Sequence, residues 1–272
     1  MLTFPNAKIN IGLNIIEKRP DGFHNIESVF YPVNWCDALE IVPAKQFHFQ
    51  SSGLSIPGDQ HSNLCIKAYH LLRNSQPRMA HNGAHFHLHK VIPMGAGLGG
   101  GSADGAFALK ILNEIFELEL SNTDLQKYAR QLGSDCAFFI ENRPVFCFHK
   151  GDEFEEFSLN LTGKFIILVN PAIHISTAEA YAGVYPKKAE IPLKEALKLP
   201  LDKWGGVIKN DFEENLLWKY PTIGATKKTL YEQGALYASM TGSGSTVYGI
   251  FETEKDLKAQ FPDFALWQGY LN

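Results

Sequence analysis

The chain has 272 residues, 25 Lys plus Arg against 29 Asp plus Glu, a net charge of −4 and 45% apolar residues. That is the composition of an ordinary globule, large enough for one core or two moderate ones. No global field draws it to nucleic acid or to an anionic membrane, and its aromatics are not interleaved with basic residues as single-strand binders require.

The N-terminus, MLTFPNAKINIGLNI, is apolar but interrupted by Pro5, Asn6, Lys8 and Asn10, so neither a signal peptide nor a membrane span is expected. Strand patterns follow at Lys8 to Ile16, Ser28 to Val33, Ala38 to Val42 and Phe47 to Gln50, with turns at 19–22 and 56–59. A helix fits between Asn63 and Arg73, capped by Ser62 or Asn63. His85 to Val91 alternates like a strand, and Ser102 to Phe116 carries apolar residues at helical spacing. A further helix spans about Asn122 to Leu132, capped from Ser121 and stopped by Gly133. Val145 to His149 reads as a strand, and FIILVN (165–170) as a buried one. The rest alternates helical and strand patterns at 177–183, 191–198, 213–219, 221–233, 238–240, 246–252 and 254–260. Both halves mix helix and strand, and a single boundary is expected near residue 155, giving domains 1–155 and 156–272. Cys36, Cys65, Cys136 and Cys147 show no C-x-x-C spacing, which points to free thiols and a cytoplasmic protein.

Between the strand and the helix of the central region lies PMGAGLGGGSAD (93–104), with five glycines in seven positions. So many glycines cost backbone entropy unless the chain needs unusual angles or close approach. A glycine loop entering a helix N-terminus suits phosphate, because unpaired N–H groups and the macrodipole both favour an anion there. The loop has no lysine before Ser102, which excludes a Walker A motif. A G-x-G-x-x-G match is formally present, but the acidic residue that should end a following strand falls instead in helix tail and loop, at Glu117 to Ser121. Protein-kinase signatures do not occur.

Other residues carry chemistry less specifically. A second glycine cluster, MTGSGST (240–246), reads as a hairpin turn, or as a second wall of the phosphate site. Asp135 could cap the next helix or accept a proton; Lys8 and Asn10 share one strand face and could hold an anion or a hydroxyl. Asp104 suits the helix dipole but would repel phosphate unless it turns away or meets magnesium. His85, His87 and His89 form H-x-H-x-H on one strand face, read as a polar face because nothing nearby completes a metal set.

The glycine loop resembles the phosphate motif of the GHMP kinase superfamily. The likeness extends to PNAKINIGLNIIEKRPDGFHNIESVF (5–30), GSDCAFF (133–139) and MTGSGSTVY (240–248), in the expected order across the chain, and is similar to the branch whose acceptor is a cytidine diphosphate-linked methylerythritol. It implies a two-domain GHMP kinase fold of mixed α/β and α+β character: a nucleotide-binding α/β domain followed by a ferredoxin-like one that binds substrate. It implies that ATP, with Mg2+, phosphorylates the 2-hydroxyl of 4-diphosphocytidyl-2-C-methyl-D-erythritol in the non-mevalonate isoprenoid pathway, giving ADP and the 2-phosphate. Asp135 then corresponds to the general base and Lys8 to the lysine beside it. Pro93, Met94, Gly95, Ala96, Gly97, Leu98, Gly99, Gly100, Gly101, Ser102 and Ala103 would cradle the ATP phosphates, with Asn63 and Lys90 near the adenosine end. Asn10 and His24 would contact the substrate, Phe23 and Tyr181 would sandwich its cytosine, and Thr177 would lie close by. No protein metal ligand, nucleic acid, membrane or obligate protein partner is implied.

Two positions depart from the pattern: Phe23 stands where many members carry tyrosine, and Ala137 where many carry proline. Phe23-His24 and Tyr181 argue against a superfamily member acting on mevalonate or homoserine, whose acceptors have no ring to stack. Lys8 and Asp135 argue against a nucleotide binder without turnover, and a dinucleotide oxidoreductase is the remaining alternative.

Overall fold

A computed structural model describes all residues, 1–272. In chain order the elements are β1 (Leu2–Thr3), β2 (Asn6–Lys18), β3 (His24–Cys36), β4 (Ala38–Ala44), β5 (His48–Gly53) and α1 (Leu64–Ser75). Next come β6 (Gly83–Lys90), α2 (Gly100–Ile115), α3 (Asn122–Leu132), α4 (Phe138–Glu141), β7 (Val145–Phe148) and β8 (Glu153–Glu156). The chain continues through β9 (Phe165–Asn170), α5 (Thr177–Ala182), α6 (Leu193–Ala196), α7 (Glu213–Lys219) and α8 (Pro221–Glu232). It closes with β10 (Tyr237–Met240), β11 (Val247–Phe251) and β12 (Ala265–Tyr270).

Contacts divide the chain into two compact units that interleave in sequence. Residues 1–8, 35–94 and 99–143 form the first; residues 9–34, 95–98 and 144–272 form the second. The long strands β2 and β3 each run through both.

The first unit holds a four-stranded sheet in the order β1-β4-β6-β5, antiparallel except for the parallel β5–β6 pair. In β6 the pattern is strict: Ala84, Phe86, Leu88 and Lys90 are buried, while His85, His87 and His89 are exposed. Helices α1, α2 and α3 pack on one another, and α2 also lies against β4. Their ends follow local chemistry. Asn63 caps α1 by accepting from the Cys65 N–H, and Ser121 with Asp124 makes a capping box at α3 before Gly133 ends it.

The second unit holds an antiparallel sheet in the order β10-β11-β9-β12. Numbered along this half, the order is 2-3-1-4, the ferredoxin-like arrangement. Strand β9 (FIILVN) is central and buried on both faces, with α8 packed beside β10 and β11. Ile167, at 0% exposure, sits in the core with Val169, Met240, Val247 and Leu230. Ile167→Ala should cost about 2–5 kcal/mol, read as a lower urea midpoint at unchanged slope; an unshifted midpoint would contradict this placement of the core.

Several elements differ from the sequence expectation. The helical pattern at 191–198 survives as a single turn, Leu193–Ala196, bracketed by Pro192 and Pro200. Residues 254–260 give only a short 3-10 turn at Lys258–Gln260. Strands β8 and β12 go unread because both lie at sheet edges and bury too little to show a clear alternation.

Candidate active site

In the first unit, β6 feeds the glycine loop, which opens α2. Alternate loop glycines take positive φ: Gly95, Gly97 and Gly99 at 63°, 79° and 69°. Between them Ala96 and Leu98 are buried, which anchors the loop, while Pro93, Met94, Gly95, Gly97, Gly99, Gly101 and Ser102 are half-buried or exposed. Gly99 is the α2 N-cap in the left-handed region, and no side chain caps the first amides at the positive dipole end of this 16-residue helix. A Cβ on Gly99 would stand 3.1 Å from the Lys8 stem and 3.1 Å from Phe139.

Lys8 therefore lies beneath the start of α2. Its side chain is 4% exposed, and its Nζ stands 3.4 Å from Asp135 Oδ2, itself 29% exposed. Asp135 occupies the turn after α3. The helix cap that could have explained it falls elsewhere, since α4 starts from Ala137 with no side-chain cap. What Asp135 faces is the Lys8 ammonium, with the Ser134 hydroxyl 3.4 Å from its other oxygen. The neighbouring Cys136 is a neutral thiol, pushed up to about 12 by burial, with the Ser102 hydroxyl bonding to it and opposing the shift. This cluster can orient an anion, set a carboxylate beside a cation, and accept a proton.

The two residues expected near adenosine are differently employed. The Lys90 side chain is fully buried and gives its ammonium to Asp37 and Asp104, so it is not offered to a ligand. Its backbone carbonyl accepts from the Leu54 N–H at 2.8 Å. The Asn63 Oδ1 is engaged as the α1 cap. Asp104 has turned inward to Lys90, which removes the expected clash with phosphate. His87 and His89 share the Ser52 hydroxyl, at 2.9 and 3.0 Å, and His85 lies edge-on to His48 at 5.5 Å.

In the second unit, Asn10 is 3% exposed and held on every side. Its N–H reaches Thr241 Oγ1 at 2.9 Å, its amide donates to Ser28 Oγ at 2.9 Å, and Tyr248 donates to its carbonyl at 2.8 Å. Thr241 also lies 3.1 Å from the Gly97 carbonyl, Thr246 N–H points to Ala96 at 3.3 Å, and Asn210 bonds the carbonyls of Met240 and Gly242. A Cβ on Gly97 would fall on the Thr241 carbonyl oxygen, so only glycine fits that approach. The MTGSGST segment is thus the β10–β11 turn, and it also braces residues 95–98 of the glycine loop. Thr241 is the residue that sequence reasoning missed; its signal was the second glycine cluster, its partners 144 and 231 positions away.

An aromatic cluster lies in the same unit. His24 stacks on Tyr181 with ring centres 4.6 Å apart and planes at 16°, and Tyr181 sets its edge against the buried Phe212 at 4.9 Å. Burial lowers the His24 pKa, helped by the Lys18 charge, so the stacked ring is neutral at pH 7. Phe23 is exposed, with the Lys150 ammonium 5.1 Å over its face. The ring that lies on Tyr181 here is His24. Thr177 is the exposed first residue of α5, just after its Ser176 cap.

The chain matches the model of the GHMP kinases N terminal domain over residues 63–143 and that of the GHMP kinases C terminal domain over 201–262. It is 52% identical to the 4-diphosphocytidyl-2-C-methyl-D-erythritol kinase of Cytophaga hutchinsonii and 50% to that of Bacteroides thetaiotaomicron, each over 94% of both chains. Among solved structures, a 4-(cytidine 5'-diphospho)-2C-methyl-D-erythritol kinase superposes with TM-score 0.83 at 26% identity, covering 100% of this chain and 99% of that one. The mevalonate kinase of Methanococcus jannaschii shares the fold alone, with TM-score 0.72 at 16% identity over 100% of this chain and 98% of that one. The chain therefore belongs to the GHMP kinases, in the family of 4-diphosphocytidyl-2-C-methyl-D-erythritol kinases.

Proposed function

We propose that this kinase transfers the γ-phosphoryl group of ATP to the 2-hydroxyl of 4-diphosphocytidyl-2-C-methyl-D-erythritol. The observation that carries the reading is the Lys8–Asp135 pair set beneath the open N-terminus of α2. Asp135 takes the proton of the 2-hydroxyl as its oxygen attacks the γ-phosphorus; the bond to the β–γ bridging oxygen breaks, and ADP leaves with that electron pair. Lys8 holds Asp135 in place and offsets charge on the transferring group. The α2 amides and residues 93–103 hold the phosphates.

A magnesium ion would accompany ATP and neutralise charge on its phosphates. Asp104 is locked on Lys90 and is not offered to the ion, which leaves phosphate oxygens and water as its main donors. That donor set suits a cation that keeps mostly water and phosphate oxygens around it. Asn63 and the Lys90 backbone border the adenosine in this reading. Asn10, two residues from Lys8 on one face of β2, lies beside the acceptor. His24, Tyr181 and Phe23 take the cytosine, with Thr177 beside them. Four free cysteines and the absence of any helix long and apolar enough to cross a membrane support a cytoplasmic site of action.

The aromatic cluster gives the test. Tyr181→Ala and Phe23→Ala should each raise KM for the cytidyl substrate, by about tenfold for Tyr181, as expected when a stacking partner worth roughly 1–1.5 kcal/mol is lost. KM for ATP should stay unchanged. Equal weakening of both substrates would contradict a base-binding role.

A further inference from the structure

The most deeply buried charges in the first unit take no part in this chemistry. Lys90 and Asp37 have side chains at 0% exposure and Asp104 at 4%. Lys90 ends β6, and its ammonium donates to Asp37 and, at 2.7 Å, to Asp104 Oδ2. The other oxygen of Asp37 accepts the N–H groups of Val91 and Ile92, at 2.6 and 2.8 Å. These two residues lead into the glycine loop, and Asp104 lies one turn into the helix that the loop opens. The ammonium also sits directly under that turn: a Cβ on Gly100 would stand 3.1 Å from Lys90 Nζ and 2.9 Å from Ile92.

One cation between two carboxylates in a dry interior leaves a net negative charge, which is costly to bury. It would also oppose the helix dipole where phosphate has to sit. The hydrogen bonds distinguish the two carboxylates. Asp37 receives three donors; Asp104 receives only Lys90, and its Oδ1 is buried without a partner.

We propose that Lys90, Asp37 and Asp104 form a clamp that ties the two ends of the glycine loop together, with Asp104 carrying a proton when nucleotide is bound. The clamp is then electrically neutral beneath the phosphates, and these three are positioning residues for ATP. The proposal rests on the reading that this loop holds ATP. Burial pushes the Asp104 carboxyl up to about 7, opposed by Lys90 and reinforced by the Asp37 charge. The Lys90 ammonium stays charged above its usual range; burial works against it, but Asp104 and Asp37 together outweigh burial. The thiols facing the cluster, Cys65 from α1 and Cys136 beyond it, are raised by burial and stay neutral. Asp104 is therefore the member that titrates near pH 7, and phosphate anions nearby favour its protonated form.

The experiment compares wild type, Asp104→Asn and Asp104→Ala by KM for ATP, KM for the cytidyl substrate, and proton uptake on ATP binding, read by calorimetry in two buffers of different ionisation enthalpy. Asparagine keeps an oxygen for Lys90 and replaces the carboxyl proton with an amide, so it should hold KM for ATP within about threefold of wild type. Alanine should raise it about tenfold or more, the loss of one buried charge-assisted bond, and leave KM for the cytidyl substrate unchanged. Wild type should take up more protons than Asp104→Asn near pH 7.5, a comparison that stands even where the alanine variant does not fold. Equal uptake by the two, or an asparagine variant as impaired as the alanine one, overturns the proposal. Wild type with no affinity for ATP overturns the functional reading and the clamp with it, whereas wild type binding ATP with Asp104→Ala matching it overturns the clamp alone.

Discussion

Asp135→Asn should lower kcat for ADP release by about a hundredfold or more, the usual worth of a positioned proton acceptor. Asparagine keeps the size of the side chain and a hydrogen-bonding oxygen but cannot take the proton of the attacking hydroxyl. The surroundings isolate the effect. Asp135 caps no helix, and its bond from Ser134 is a loose 3.4 Å, so little of the fold depends on its charge. KM for ATP and the thermal midpoint should therefore stay near wild type while kcat falls, the pattern of an interaction made in the transition state. Near-normal turnover would mean that the proton leaves by another route; a falling midpoint would mean that Asp135 is structural.

Lys8→Met should lower kcat on a similar scale, about a hundredfold, as removal of one preorganised charge from a developing transition state does. Methionine fills most of the volume under Gly99, so the loop keeps its floor. Asp135, at 29% exposure, stays hydrated and is not left as a stranded interior charge. Lys8 differs from Asp135 in one respect: its charge acts on the phosphates as well, so KM for ATP should rise too. The double variant should lose much less than the product of the two single losses, because the residues work as one unit. Independent, multiplicative losses would separate the pair.

Much of this was legible because its causes are local. Ser121, Asp124 and Gly133 set both ends of α3, and the glycine pattern marks the turn into α2. What escaped depends on partners far along the chain. The parity of β6 already puts Lys90 on the buried face with Phe86 and Leu88, but sequence does not name Asp37 and Asp104 as the groups that make its burial tolerable. Thr241 acquires meaning only when a turn in the ferredoxin-like sheet meets Asn10 and Gly97. Tyr181 was singled out as a stacking residue, yet its partner His24 is fixed by how β3 and α5 pack. The interleaved units were hidden for the same reason: β2 and β3 each serve both, and no change of composition marks the crossing.

The central claim is most directly tested by measuring ADP release with ATP and one acceptor at a time: 4-diphosphocytidyl-2-C-methyl-D-erythritol, mevalonate and homoserine. The account predicts turnover with the cytidyl acceptor and background rates with the other two. Turnover of mevalonate or homoserine with none of the cytidyl compound would contradict it.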